Sequence, residues 1–72
     1  MSVQNHILTE QRFSNGNTLV LRMLCINEES FFFVYLRCLG NRGRIHYEYF
    51  RDFAGLDEWD NVCEYYHFLK GN

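Results

Sequence analysis

Seventy-two residues are enough for one domain, expected to span 1–72, and a net charge of −2 gives no general pull toward nucleic acid or anionic lipid. Three cysteines, Cys25, Cys38 and Cys63, are an odd set without paired spacing; this argues against a disulfide framework and for a reducing, cytoplasmic setting. The longest apolar run, Phe31 to Leu36, is far too short to cross a membrane as a helix, so no membrane partner is expected.

The chain opens on Met1 with no basic region followed by an apolar run, which reads as a stand-alone product without a secretory leader. Hydrophobic residues make up 47% and aromatics 18%. That is more than one face of one small sheet hides, and it favours a homodimer or a complex with a partner.

The first strand-length segment is the most polar, as an edge strand should be, and ends at Asn15-Gly16, a strong hairpin signal. A second segment runs to the polar break Asn27-Glu28-Glu29-Ser30. A third, centred on Phe31-Phe32-Phe33-Val34-Tyr35-Leu36, runs to Gly40-Asn41-Arg42-Gly43, and a fourth follows. The four segments together are rich in β-branched and aromatic residues. The spacing predicts an antiparallel α+β meander of strand order 1-2-3-4.

Two-residue loops at Asn15-Gly16, Glu28-Glu29 and Asn41-Arg42 would fix the register. Leu19 would then face Cys38, Leu21 Leu36, Met23 Val34, and Cys25 Phe32. On the far side Cys38 would face Ile45, Leu36 Tyr47, and Val34 Tyr49. We call this apolar side face A. The other side, face B, would carry Val20, Arg22, Leu24 and Ile26, then Phe31, Phe33, Tyr35, Arg37 and Leu39, then Arg44, His46, Glu48 and Phe50.

From Leu56 the period changes to steps of three and four through Trp59, Val62, Cys63, Tyr66 and Leu69, a helical stripe. Acids lead it, and Lys70 and Gly71 close it. One C-terminal helix should therefore lie across face A.

Functionally, the pattern points to a binding module rather than an enzyme. No Gly-rich phosphate loop, HExxH or GxSxG occurs, and no catalytic residue is assigned. Cys63 near His67 would need a pocket and an oxyanion hole to act as a nucleophile and base, and a domain this small has little room for either. Face B, with Arg22, Leu24, Phe31, Phe33, Tyr35, Arg37, Arg44, His46 and Phe50, has the aromatic centre and Arg-bearing rim of an interface. Asp57, Glu58, Asp60 and Glu64 form an acidic helix face that would either be solvated or mimic phosphate spacing on a basic groove.

The expected role is a small inhibitor or adaptor that occupies a site on a larger protein. A phage-type inhibitor of a host defence nuclease would be one such protein. A single-stranded nucleic-acid binder, stacking bases on Phe31, Phe33 and Tyr35 with Arg22, Arg37 and Arg44 on phosphates, is an alternative opposed by the acidic balance. A zinc-stabilised structural domain is another. His6 and Cys25 as cross-strand neighbours, with Cys63 and His67 one helical turn apart, would supply four ligands for tetrahedral zinc. Buried free cysteines and a rim histidine account for the same residues without a metal, and no cofactor is assigned.

Overall fold

Each of the three sequence breaks becomes a hairpin turn in the computed structural model, which describes residues 3–71. The strands are β1 (Val3–Arg12), β2 (Thr18–Ile26), β3 (Glu29–Leu39) and β4 (Ile45–Ala54). They form one antiparallel sheet of order β1-β2-β3-β4, as the spacing predicts. A 3-10 turn at Leu56–Glu58 then leads into the single helix α1 (Trp59–Leu69).

The turns are in the right places, but their lengths differ from the two-residue expectation, and this resets the register. At the first turn Phe13 N–H donates to Asn17 O at 2.8 Å and Gly16 N–H to Phe13 O at 3.0 Å. Gly16 sits at φ +92°, the left-handed residue that ends a three-residue loop. Arg12 therefore faces Thr18 and Gln11 faces Leu19. At the second turn the two loop residues are Asn27 and Glu28, at φ +50° and +70°, one position earlier than expected. Leu19 thus faces Leu36, Leu21 faces Val34, and Met23 faces Phe32. At the third, Asn41–Gly43 makes a three-residue 3-10 loop closed by Gly40 N–H donating to Arg44 O at 2.7 Å.

The core lies on face A between sheet and helix. Leu19, Leu21, Phe32, Val34 and Phe53 pack against Val62 and Tyr66, with Phe13, Met23, Leu36, Tyr65 and Leu69 around them. Helical steps of three and four put Val62 and Tyr66 on the buried stripe. The Tyr66 hydroxyl fixes the helix by donating to the Leu19 carbonyl at 3.3 Å. Trp59 reaches Phe32 with ring centroids 5.3 Å apart, and Tyr65 meets Phe53 edge-on at 5.8 Å. Leu56 departs from the expected stripe: it lies in the 3-10 turn before α1 and is 68% exposed. The Cα envelope is 39 × 30 × 15 Å, so the short axis holds one helix on one sheet and no third layer.

No helix among the described residues is long and apolar enough to cross a membrane.

Candidate functional site

Face B is the side of the sheet that no helix covers. Its composition follows from the observed register, since residues opposite one another share a face. Val3, Asn5, Ile7, Glu10 and Arg12 come from β1, and Thr18, Val20, Arg22, Leu24 and Ile26 from β2. Phe31, Phe33, Tyr35, Arg37 and Leu39 come from β3, and Ile45, Tyr47, Tyr49, Asp52 and Ala54 from β4.

Six of the nine sheet-face residues expected from sequence are therefore brought together: Arg22, Leu24, Phe31, Phe33, Tyr35 and Arg37. The β2–β3 pairing slipped by two residues, and an even slip leaves every side chain on its face. The start of β4 slipped by one, because its loop has three residues rather than two. His46 and Glu48 thus oppose Cys38 and Leu36 on face A, a correction to their expected place on face B. Ile45, Tyr47 and Tyr49, expected in the core, stand on face B instead and are 55%, 62% and 58% exposed. Arg44 lies in the loop before β4 and pairs with no strand residue, so it does not join the sheet face.

Phe50 is the extra residue of a bulge, since Tyr49 pairs with Tyr35 and Arg51 already pairs with Val34. The bulge restores the original parity, which is why Phe53 reaches the core. The three-residue first loop likewise puts Thr9 and Gln11 on face A and Glu10 and Arg12 on face B, and the irregularity between Ile7 and Thr9 shifts the register back by one, so that His6 lies on face A opposite Met23.

Face B has a polar belt with apolar ground on both sides. Arg22 Nη1 donates to Asn5 Oδ1 at 2.7 Å and its Nε to the Tyr35 hydroxyl at 3.1 Å. Tyr35 packs edge-on against Tyr47 at 5.7 Å. Arg37 and Glu10 flank β2 and approach to 3.9 Å, their stems closing over Thr18 and Val20. Val20 is in consequence fully buried although no helix lies above it. Beyond this belt toward the Asn27–Glu28 turn lie half-buried Leu24, Ile26, Phe31 and Phe33 with exposed Val3. On the other side lie Tyr47, Tyr49, Ile45 and Leu39. Partial desolvation of its hydroxyl and the neighbouring Asp52 carboxylate push Tyr49 up to about 12.

The acidic residues of the helix are in place but dispersed in role. Asp57 belongs to the 3-10 turn, Asp60 and Glu64 are exposed on α1, and Glu58 accepts a hydrogen bond from Asn61 Nδ2 at 2.8 Å. Phe68 shares this outer side and is 77% exposed. Its position off the apolar stripe is legible in the sequence, since Phe68 lies outside the Leu56, Trp59, Val62, Cys63, Tyr66, Leu69 series.

The four expected zinc ligands are not assembled as a set. His6 opposes Met23 rather than Cys25, whose partner is Gln4, and the Cys25 thiol lies 3.3 Å from the Ser30 hydroxyl. Cys63 and His67 line a cavity of about 320 Å³ between α1 and β1, with Leu8, Trp59 and Tyr66. Another group does converge: Cys38, His46 and Glu48, with ligand atoms all within 4.8 Å of one another. Burial and the Glu48 carboxylate push the Cys38 thiol above its usual range. Sequence reasoning missed this group because it depends on the length of the third loop.

Compared with known protein families, curated proteins and solved structures, the chain matches none.

Proposed function

We propose that this domain is a protein-binding module that acts as an inhibitor or adaptor by seating face B on a larger protein. The observation that carries the reading is the uncovered sheet face itself. Leu24, Ile26, Phe31 and Phe33 are only half-buried there, while Val3, Ile7, Leu39, Ile45, Tyr47 and Tyr49 are exposed. Single exposed apolar side chains are ordinary, but two apolar fields on one rigid surface mark a contact site.

The size is suitable. Four strands at about 4.8 Å spacing and about ten residues at 3.3 Å rise project to roughly 600 Å². A standard interface takes about 800 Å² of accessible surface from each partner, and a corrugated face exceeds its projection. The chemistry is suitable as well, with aromatic anchors beside an arginine belt already held by Asn5, Tyr35 and Glu10. Those same bonds occupy Arg22 and Arg37, which leaves fewer cations for the phosphates of a single strand.

The test is capture from native-host lysate followed by affinity measurement on the purified partner. Phe33→Asp and Tyr49→Asp should each weaken binding by 100-fold or more while circular dichroism stays unchanged. Reversal of Asp60 and Glu64 to lysine should change it only a few-fold. Full affinity in both face B variants refutes the reading, and loss confined to the lysine variant moves the contact to the helix. If the captured partner is a second copy of the chain, sedimentation will show a dimer that both Asp substitutions dissociate.

A further inference from the structure

We propose that Cys38, His46 and Glu48 form a binding site for a zinc-class divalent cation at the end of face A nearest the third hairpin loop. The site is separate from face B and does not rest on the binding role assigned to that surface.

Cys38 and His46 are direct cross-strand partners of β3 and β4, and Glu48 follows His46 by two residues, so all three project from one face. Their Sγ, imidazole and carboxylate ligand atoms already lie within 4.8 Å of one another. Bonds of about 2.0–2.3 Å in a tetrahedron separate ligand atoms by roughly 3.3–3.8 Å. The remaining contraction is about 1 Å or a little more. His46 and Glu48 are exposed and can make it by rotamer changes, while Cys38 is 5% exposed and holds the inner position. The backbone needs no rearrangement because the ladder hydrogen bonds fix the relation of the two strands.

The donor set narrows the cation. A thiolate, an imidazole and one carboxylate suit Zn²⁺ and its spectroscopic substitute Co²⁺, whereas Mg²⁺ and Ca²⁺ favour oxygen shells. Three protein ligands leave a fourth position for water or for a donor from a bound molecule. The site also joins β3 to β4 beside the Asn41–Gly43 loop, where Arg42 stands at φ +62°, so an ion there would clamp an otherwise exposed corner.

The experiment is a Co²⁺ titration of the reduced, chelator-treated protein in a Cys25→Ser, Cys63→Ser background, which leaves Cys38 as the one thiol. The expected result is a thiolate-to-cobalt charge-transfer band that saturates at one equivalent and is abolished by Zn²⁺. His46→Ala and Glu48→Gln, both at exposed positions, should each weaken binding tenfold or more with unchanged circular dichroism. Saturating Zn²⁺ should raise the melting temperature of the parent and not of His46→Ala. Absence of the band at stoichiometric metal overturns the proposal. So does a band whose affinity is the same in the parent, His46→Ala and Glu48→Gln, since that describes adventitious binding to one thiol. Cys38→Ser serves as a further control, and if that buried substitution unfolds the chain the two exposed variants still decide.

Discussion

Phe32 and Phe33 are adjacent in sequence and point to opposite sides of the sheet, so truncating each in turn separates the core from the uncovered face. Phe32 is 1% exposed and touches Trp59, whereas Phe33 is half-buried on face B opposite Arg22 and Asp52. Truncating a buried phenylalanine costs about 3–5 kcal/mol. A core in a chain below about 70–80 residues rarely supplies more than about 3–5 kcal/mol in total. Phe32→Ala should therefore leave the protein largely unfolded without denaturant, and the milder Phe32→Leu should lower stability by about 1 kcal/mol. Phe33→Ala removes a ring that is partly wet in the native state and should cost about 1 kcal/mol or less. With a slope near 1 kcal/mol per molar urea, its midpoint should fall by about 1 M or less. Urea titration followed by circular dichroism reads both. A Phe33→Ala variant as unstable as Phe32→Ala would make face B part of the core and remove the basis for a contact there.

Three further outcomes are expected. Tyr66→Phe deletes the buried donor to the Leu19 carbonyl and should cost about 1 kcal/mol, or roughly 4–8 °C by calorimetry; an unchanged melting temperature would show that this bond does not secure the helix. Glu28→Gly relieves a non-glycine residue at φ +70° in a two-residue hairpin loop, and should raise stability by about 0.5–1 kcal/mol in chemical denaturation, with a loss instead contradicting the turn geometry. Tyr66 is raised above 10 chiefly by burial, and Tyr49 is raised to about 12. Both favour the protonated folded state, so their contribution is whole below pH 10 and is lost as pH rises through their folded values. Melting temperatures measured from pH 8 upward should decline above about pH 10, less steeply in Tyr66→Phe, and a rise in that range would contradict the sign.

The sequence shows where the turns are but not how many residues each spends, and that distinction governs what was legible. A polar break such as Asn27-Glu28-Glu29-Ser30 locates a hairpin without saying which pair occupies the loop. The resulting error there was two residues, which left Leu19, Leu21, Phe32 and Val34 on face A. At Asn41–Gly43 the error was one residue, which exchanged His46 and Glu48 with Ile45, Tyr47 and Tyr49. The bulge at Phe50 then returned Phe53 to the core, and nothing in the local composition announces such an insertion. The helix was legible because its stripe needs only local spacing; Val62 and Tyr66 are buried as the period predicts. On face B, the central residues Arg22, Leu24, Phe31, Phe33, Tyr35 and Arg37 were readable because β2 and β3 kept their parity. The β4 contribution and the Cys38–His46–Glu48 group were not, because both depend on one loop residue.

The irregularities in the two outer strands also govern how copies of this chain can meet. β1 is interrupted between Ile7 and Thr9, and β4 at Phe50. An incoming strand that zips onto either rim finds the alternation broken after a handful of residues, so the sheet is a poor template for an endless ribbon. The stretch most prone to fibre growth, Phe31 to Leu36, is sequestered in β3 with a neighbour on each side. Neither margin thereby offers a long uninterrupted edge for a further strand.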